Sequence, residues 1–165
     1  MSRSSNARAG KFHLVNLGCS KNLVDSQSMA QLLGEDGMTP VESARSAEVL
    51  IVNTCGFIGP AKQESIRVLN ELAADKKRGQ LLIAAGCLSQ RYGSQLLEWV
   101  PALDGIIGTR RWMDIVDFIQ RLRQRGNPEP LYHLPEEAKT VGVDEPGTSW
   151  NAVQGVSAYI KIADG

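Results

Sequence analysis

Apolar and polar residues follow one another along this chain in two rhythms, and the switches between them mark its elements. Four short runs are apolar almost throughout: FHLVNLG from Phe12, EVLIVNTC from Glu48, QLLIAAGC from Gln80 and LDGIIGT from Leu103. Each is followed by a stretch with helical spacing, over residues 22–33, 61–77, 89–100 and 111–125. In the last of these Trp112, Ile115, Val116, Ile119 and Leu122 recur at intervals of three and four. Strands that are apolar on both faces need cover on both faces, and strand–helix alternation supplies it. The pattern therefore predicts an α/β fold with a parallel, flavodoxin-like sheet of about five strands and helices on both faces. The short MTPVES stretch after Gly37 reads as an added edge strand.

The rhythm is lost at both ends. Residues 1–10, MSRSSNARAG, are small and polar and read as a disordered leader ahead of an α/β domain over residues 11–125. After Arg125 four prolines (Pro128, Pro130, Pro135 and Pro146), with Gly126, Gly142 and Gly147 among them, punctuate a stretch over 126–156 that reads as a linker. Residues 157–165 then form a strand-like run around Tyr159, Ile160 and Ile162, with no following helix.

Composition changes this picture little. Hydrophobic residues make up 42% and charged residues 22% of the chain, and 18 Lys and Arg balance 18 Asp and Glu, which argues against a general polyanion-binding surface. No apolar run approaches the roughly 20 residues of a membrane span, and the leader lacks the apolar centre of a signal peptide. A cytoplasmic protein is the expectation. Three cysteines, an odd number far apart in sequence, do not make a secreted disulfide framework.

Those cysteines are the main chemical signal. LVNLGC, LIVNTC and LIAAGC each end a strand, and Cys19, Cys55 and Cys87 each have an adjacent glycine, Gly18, Gly56 or Gly86. In a parallel sheet all strand ends of one polarity share an edge, and ligands of open α/β sheets bind outside the carboxyl edge. Thiols 36 and 32 residues apart in sequence would thus converge, with glycines clearing room for a bulky group and the following helix N-termini favouring thiolate. Soft thiolates at an open edge suit iron–sulfur chemistry. Zinc is the competing metal, although no close Cys-x-x-Cys pair is present. The spacing alone leaves three small buried side chains as the other reading, because cysteine is among the most buried residue types.

The stretches LGCSKNLVDSQ, AEVLIVNTCGFIGPAKQESI and AGCLSQRYGSQL resemble the N-terminal domain of the radical S-adenosylmethionine methylthiotransferases, over about residues 12–109. Within that family GCSKN (Gly18 to Asn22) and NTCGFI (Asn53 to Ile58) resemble the RimO branch rather than the branch acting on tRNA. The resemblance implies that Cys19, Cys55 and Cys87 ligate an auxiliary [4Fe-4S] cluster, with one iron left free for sulfide or a methylthio species. It also implies a methylthio transfer to an aspartate of a small-subunit ribosomal protein, which would be the partner. A second [4Fe-4S] cluster and S-adenosylmethionine would belong to a downstream radical domain, of which 157–165 would be the first, truncated strand. A chain of this extent alone is then expected to be inactive. The same chemistry on a tRNA adenosine, or a non-catalytic flavodoxin-like binding module, are the alternatives.

Around the cysteines, Lys21, Asn22, Asp25 and Ser26 could position a sulfur species or hydrogen-bond the cluster, or simply start a helix. Asn53 and Thr54 could do likewise from the second strand end, or cap a turn. His13 in a strand and His133 in the linker are not expected as ligands. Arg110, Arg111, Arg121, Arg123 and Arg125, interspersed with Asp114 and Asp117, read as a solvated helix face, so direct nucleic-acid binding is not expected.

Overall fold

A computed structural model of the chain describes residues 10–56, 58–109, 111–125, 129–134, 151–154 and 157–160. The expected leader up to residue 9, most of the expected linker, Ile162 and Arg110 lie outside the described residues. In chain order the elements are β1 (Lys11–Asn16), α1 (Ser20–Glu35), β2 (Thr39–Pro40), β3 (Val49–Thr54), α2 (Gly59–Ala74) and β4 (Leu81–Gly86). They continue with α3 (Cys87–Tyr92), α4 (Leu96–Trp99), β5 (Gly105–Gly108), α5 (Ile115–Gln124), β6 (Leu131–His133), β7 (Asn151–Gln154) and β8 (Ser157–Ile160).

Six strands form one sheet in the order β2-β1-β3-β4-β5-β6, every neighbouring pair parallel. The first five follow the flavodoxin order, which reverses between β1 and β3, and ligands of such sheets bind at that reversal. The sequence pattern anticipates the sheet, but with about five strands. The sixth, β6, lies inside the stretch expected as a linker, where three residues beside prolines carry too little periodicity to be seen. β7 also falls in that stretch and pairs antiparallel with β8, so the run near Tyr159 has a strand partner.

Side-chain alternation explains why the strands are apolar throughout. Val49 and Ile51 of β3, Ile83 and Ala85 of β4 and Ile107 of β5 pack with Met29, Leu33, Ile115 and Phe118 of α1 and α5. Leu50, Val52, Leu82, Ala84 and Ile106 point the other way, into a layer with Leu69 of α2, Leu88 of α3 and Leu96 of α4. A period of two buried on both sides leaves no polar face. Trp112, at the head of the apolar spacing that predicts the last helix, is buried in the first layer.

The third helix departs from expectation. In place of one helix over 89–100 there is α3, starting at Cys87 itself, a tight turn at Gly93–Gln95, and α4. Gly93 has φ +48, outside the helical range, and interrupts what the apolar spacing would otherwise continue.

Candidate functional site

The three cysteine-bearing strands, β1, β3 and β4, are consecutive neighbours in the sheet. Asn16 of β1 pairs with Asn53 of β3, and Thr54 of β3 pairs with Gly86 of β4. One step beyond the last pair, Cys55 and Cys87 leave their strands side by side, while Cys19 follows three residues after Asn16. Neighbouring strands lie about 4.8 Å apart, so the three backbones spread over ~10 Å of one carboxyl edge, at the β1/β3 reversal. Cys19 is exposed and precedes the first turn of α1; Cys55 and Cys87 are half-buried, and all three are free thiols.

Two glycines make this approach possible. Gly18 has φ +111, and a Cβ there would lie 2.6 Å from Cβ and 3.0 Å from Sγ of Cys55. Gly86 has φ +92, and a Cβ there would run into Oδ1 of Asn53 and the backbone of Thr54. At Gly56 an added Cβ would sit 2.9 Å from Leu88.

The polar residues singled out in the sequence are brought together behind the thiols. Asn22, Asp25, Ser26, Asn53 and Thr54 are all buried. Asn22 Nδ2 donates to the carbonyls of Leu17 (2.7 Å) and Thr54 (3.0 Å), and Cys87 Sγ lies 3.9 Å from Asn22 Oδ1, within reach as a thiol donor. Asn53 Nδ2 donates to the Asn22 carbonyl (2.8 Å) and to Ser26 Oγ (2.9 Å), and Ser26 Oγ donates to Asn16 Oδ1 (2.8 Å). Thr54 Oγ1 donates to the Ala85 carbonyl at 2.5 Å, tying β3 to β4 just below their cysteines.

Two participants escaped the sequence reading. Asn16 closes the polar chain, and its signal was present: LVN and IVN place an asparagine at matching depth in two otherwise apolar strands. Ser65 of α2 accepts from the Cys55 N–H (3.0 Å) and donates to the Cys55 carbonyl (2.8 Å). Ten residues from its partner on a helix, it carries no sequence signal.

The electrostatics correct one expectation. Burial, above all, pushes the Cys87 thiol above its ordinary range; Lys21 pulls it back, while Cys55, Cys19 and Asp25 add to the rise. Thiolate is thus not favoured at Cys87 without a metal, because one nearby cation does not offset the loss of water and the neighbouring acids. Lys21, Cys55, Cys19 and Asp25 thus all lie close enough to act on the Cys87 thiol.

Among the described residues no three His, Cys, Asp or Glu side chains close on a point that could hold one metal ion. A zinc ion with Zn–S bonds of about 2.3 Å would demand that closure. An iron–sulfur cluster does not, since each thiolate bonds a different iron.

The remaining candidates lie elsewhere. His13 Nδ1 meets the Val41 carbonyl at 3.0 Å, and His133 Nε2 meets Asp114 Oδ2 at 2.8 Å, with Arg121 3.4 Å from Nδ1. His133 therefore holds the edge strand β6 rather than standing in a solvated linker. Arg121 pairs with Asp117 and Arg123 with Glu48, while Arg111 and Arg125 are exposed. Among the described residues no helix is long and apolar enough to cross a membrane.

Residues 11–108 match the model of the uncharacterized protein family UPF0004. Among curated relatives, the ribosomal protein uS12 methylthiotransferase RimO of Roseiflexus sp. is 39% identical over 94% of this chain and 36% of its own length. The proteins of the same name from Symbiobacterium thermophilum and Herpetosiphon aurantiacus are 38% and 50% identical, over 96% and 64% of this chain and 32% and 22% of their own lengths. The chain spans about a third or less of the length of these relatives.

Proposed function

This chain belongs to the protein family UPF0004, and from that premise we propose that it is the iron–sulfur domain of a ribosomal protein methylthiotransferase. Its role is to hold an auxiliary [4Fe-4S] cluster through Cys19, Cys55 and Cys87. The observation that carries this reading is the placement of three thiols at the carboxyl ends of three consecutive strands, β1, β3 and β4. When bound, such a cluster supplies iron–sulfur redox chemistry and, at an iron without a protein thiolate, a place for the sulfur that is transferred.

The residues of this chain do the holding. Gly18 and Gly86 let the thiols approach one another, Ser65 grips the backbone of Cys55 from both sides, and Asn53, Ser26 and Asn16 brace the strand ends. Asp25 and Lys21 set the local charge around Cys87. The printed names of the three relatives support uS12, a ribosomal protein, as the substrate of the full-length enzyme.

Anaerobic reconstitution with iron and sulfide tests the reading. The expected result is about four irons per chain and a broad brown absorption near ~400 nm, both lost in Cys19→Ser, Cys55→Ser and Cys87→Ser. Structured yellow bands of a flavin, or one zinc per chain, would contradict it. For the complete enzyme, mass gain on uS12 and none on tRNA is the expected outcome.

A further inference from the structure

The geometry points to Asn22 as the positioning residue of the site: a single buried carboxamide ties the ends of β1, β3 and β4 together and so sets where the three thiols stand. This inference rests on the cluster reading above and adds to it the residue that organises the site before any iron arrives.

Asn22 is fully buried on the first turn of α1, three residues after Cys19. Its Nδ2 has two hydrogens, and both are committed, one to the Leu17 carbonyl at 2.7 Å and one to the Thr54 carbonyl at 3.0 Å. Those carbonyls lie at the last turns of backbone before Cys19 and Cys55. Two carbonyl oxygens cannot face an amide oxygen, so the orientation of the carboxamide is determined by its surroundings. Oδ1 is thereby turned toward the third strand end, where Cys87 Sγ lies 3.9 Å away. The backbone carbonyl of Asn22 is itself held by Asn53 Nδ2 at 2.8 Å.

One side chain thus meets all three cysteine-bearing loops. Without the carboxamide the Leu17 and Thr54 carbonyls lose their buried donor, and the two loops they belong to lose their common anchor. Other fixtures of the site reach fewer strand ends: Ser65 holds Cys55 alone, Thr54 ties β3 to β4, and Ser26 links Asn16 of β1 to Asn53 of β3. Groups behind a metal's ligands typically change affinity by about 10–100-fold when removed.

The test uses this chain with Asn22→Ala and Asn22→Asp, the second keeping size while replacing the donor by an acceptor. Far-UV circular dichroism establishes the temperature at which each variant is folded. There, iron and sulfide uptake, the electron paramagnetic resonance spectrum after reduction, and the rate of iron loss to a chelator are measured. The expected result is iron loss at least about tenfold faster in both variants, with a displaced spectrum. A parental chain that takes up no iron overturns the cluster reading and this role with it. A parental chain that loads, beside variants that load equally with the same spectrum and chelator rate, overturns the role of Asn22 alone. Should neither variant fold, the side-chain amide protons of the unmutated chain decide. Those of Asn22 should exchange slowly and shift on cluster loading, whereas those of exposed Asn70 should do neither. An Asn22 resonance unmoved by loading would refute the assignment.

Discussion

At the scale of single residues, the site depends on atoms that are missing as much as on those present. Gly18→Ala would introduce a left-handed alanine, costing on the order of 1–3 kcal/mol in backbone strain, and would drive its Cβ against Cys55. The expected outcome is a chain with lowered melting temperature and little iron uptake, measured by circular dichroism and iron content. Cys87 makes a second prediction. Burial raises its pKa, so its thiolate forms only at higher pH than that of an ordinary cysteine, and alkylation by iodoacetamide, read by peptide mass spectrometry, should lag there. Lys21→Met removes the influence that lowers this pKa and should move the alkylation profile further up in pH. The cysteines were legible in the sequence because each closes an apolar run beside a glycine. The raised pKa was not, since the helix-start argument omits burial and the other two thiols, which become neighbours only through the strand order.

Single elements position these residues. α2 holds the Cys55 loop through Ser65, whose hydroxyl serves both the N–H and the carbonyl of Cys55. Ser65→Ala should cost about 1–3 kcal/mol, the range for leaving buried backbone groups unpaired. Its effect on alkylation should be confined to Cys55, whose reaction should speed up while Cys19 keeps its rate; an equal change at both would mean a global loosening instead. The helices α1, α2 and α5 were visible to within a few residues because their apolar spacing is regular. The third was not, because Gly93 ends α3 after six residues while the apolar spacing runs on through Leu96 and Leu97. Three residues of β6 between prolines gave no periodic signal, yet His133 and Asp114 hold that strand in the sheet.

For the molecule as a whole, the flavodoxin-like order is what turns sequence-distant cysteines into one site. With β1, β3 and β4 adjacent and parallel, the three thiols share one edge of the sheet. Apolar layers of buried residues pack on both sides of the sheet. Stability should therefore rest on the core, in contrast to small zinc domains that unfold when stripped. The iron-free chain should keep its far-UV circular dichroism and melt cooperatively in excess chelator. Ile83→Ala, which empties the centre of β4, should cost about 2–5 kcal/mol with or without iron. The alternation of strand and helix gave the fold class, but strand order follows from which faces pack together, and that information is distributed over the whole chain. Native mass spectrometry of the anaerobically reconstituted chain reads the central claim most directly. The account predicts a single added mass of one four-iron, four-sulfide cluster, absent from each of Cys19→Ser, Cys55→Ser and Cys87→Ser; a cluster retained in any of the three, or a lone zinc in the parental chain, would contradict it.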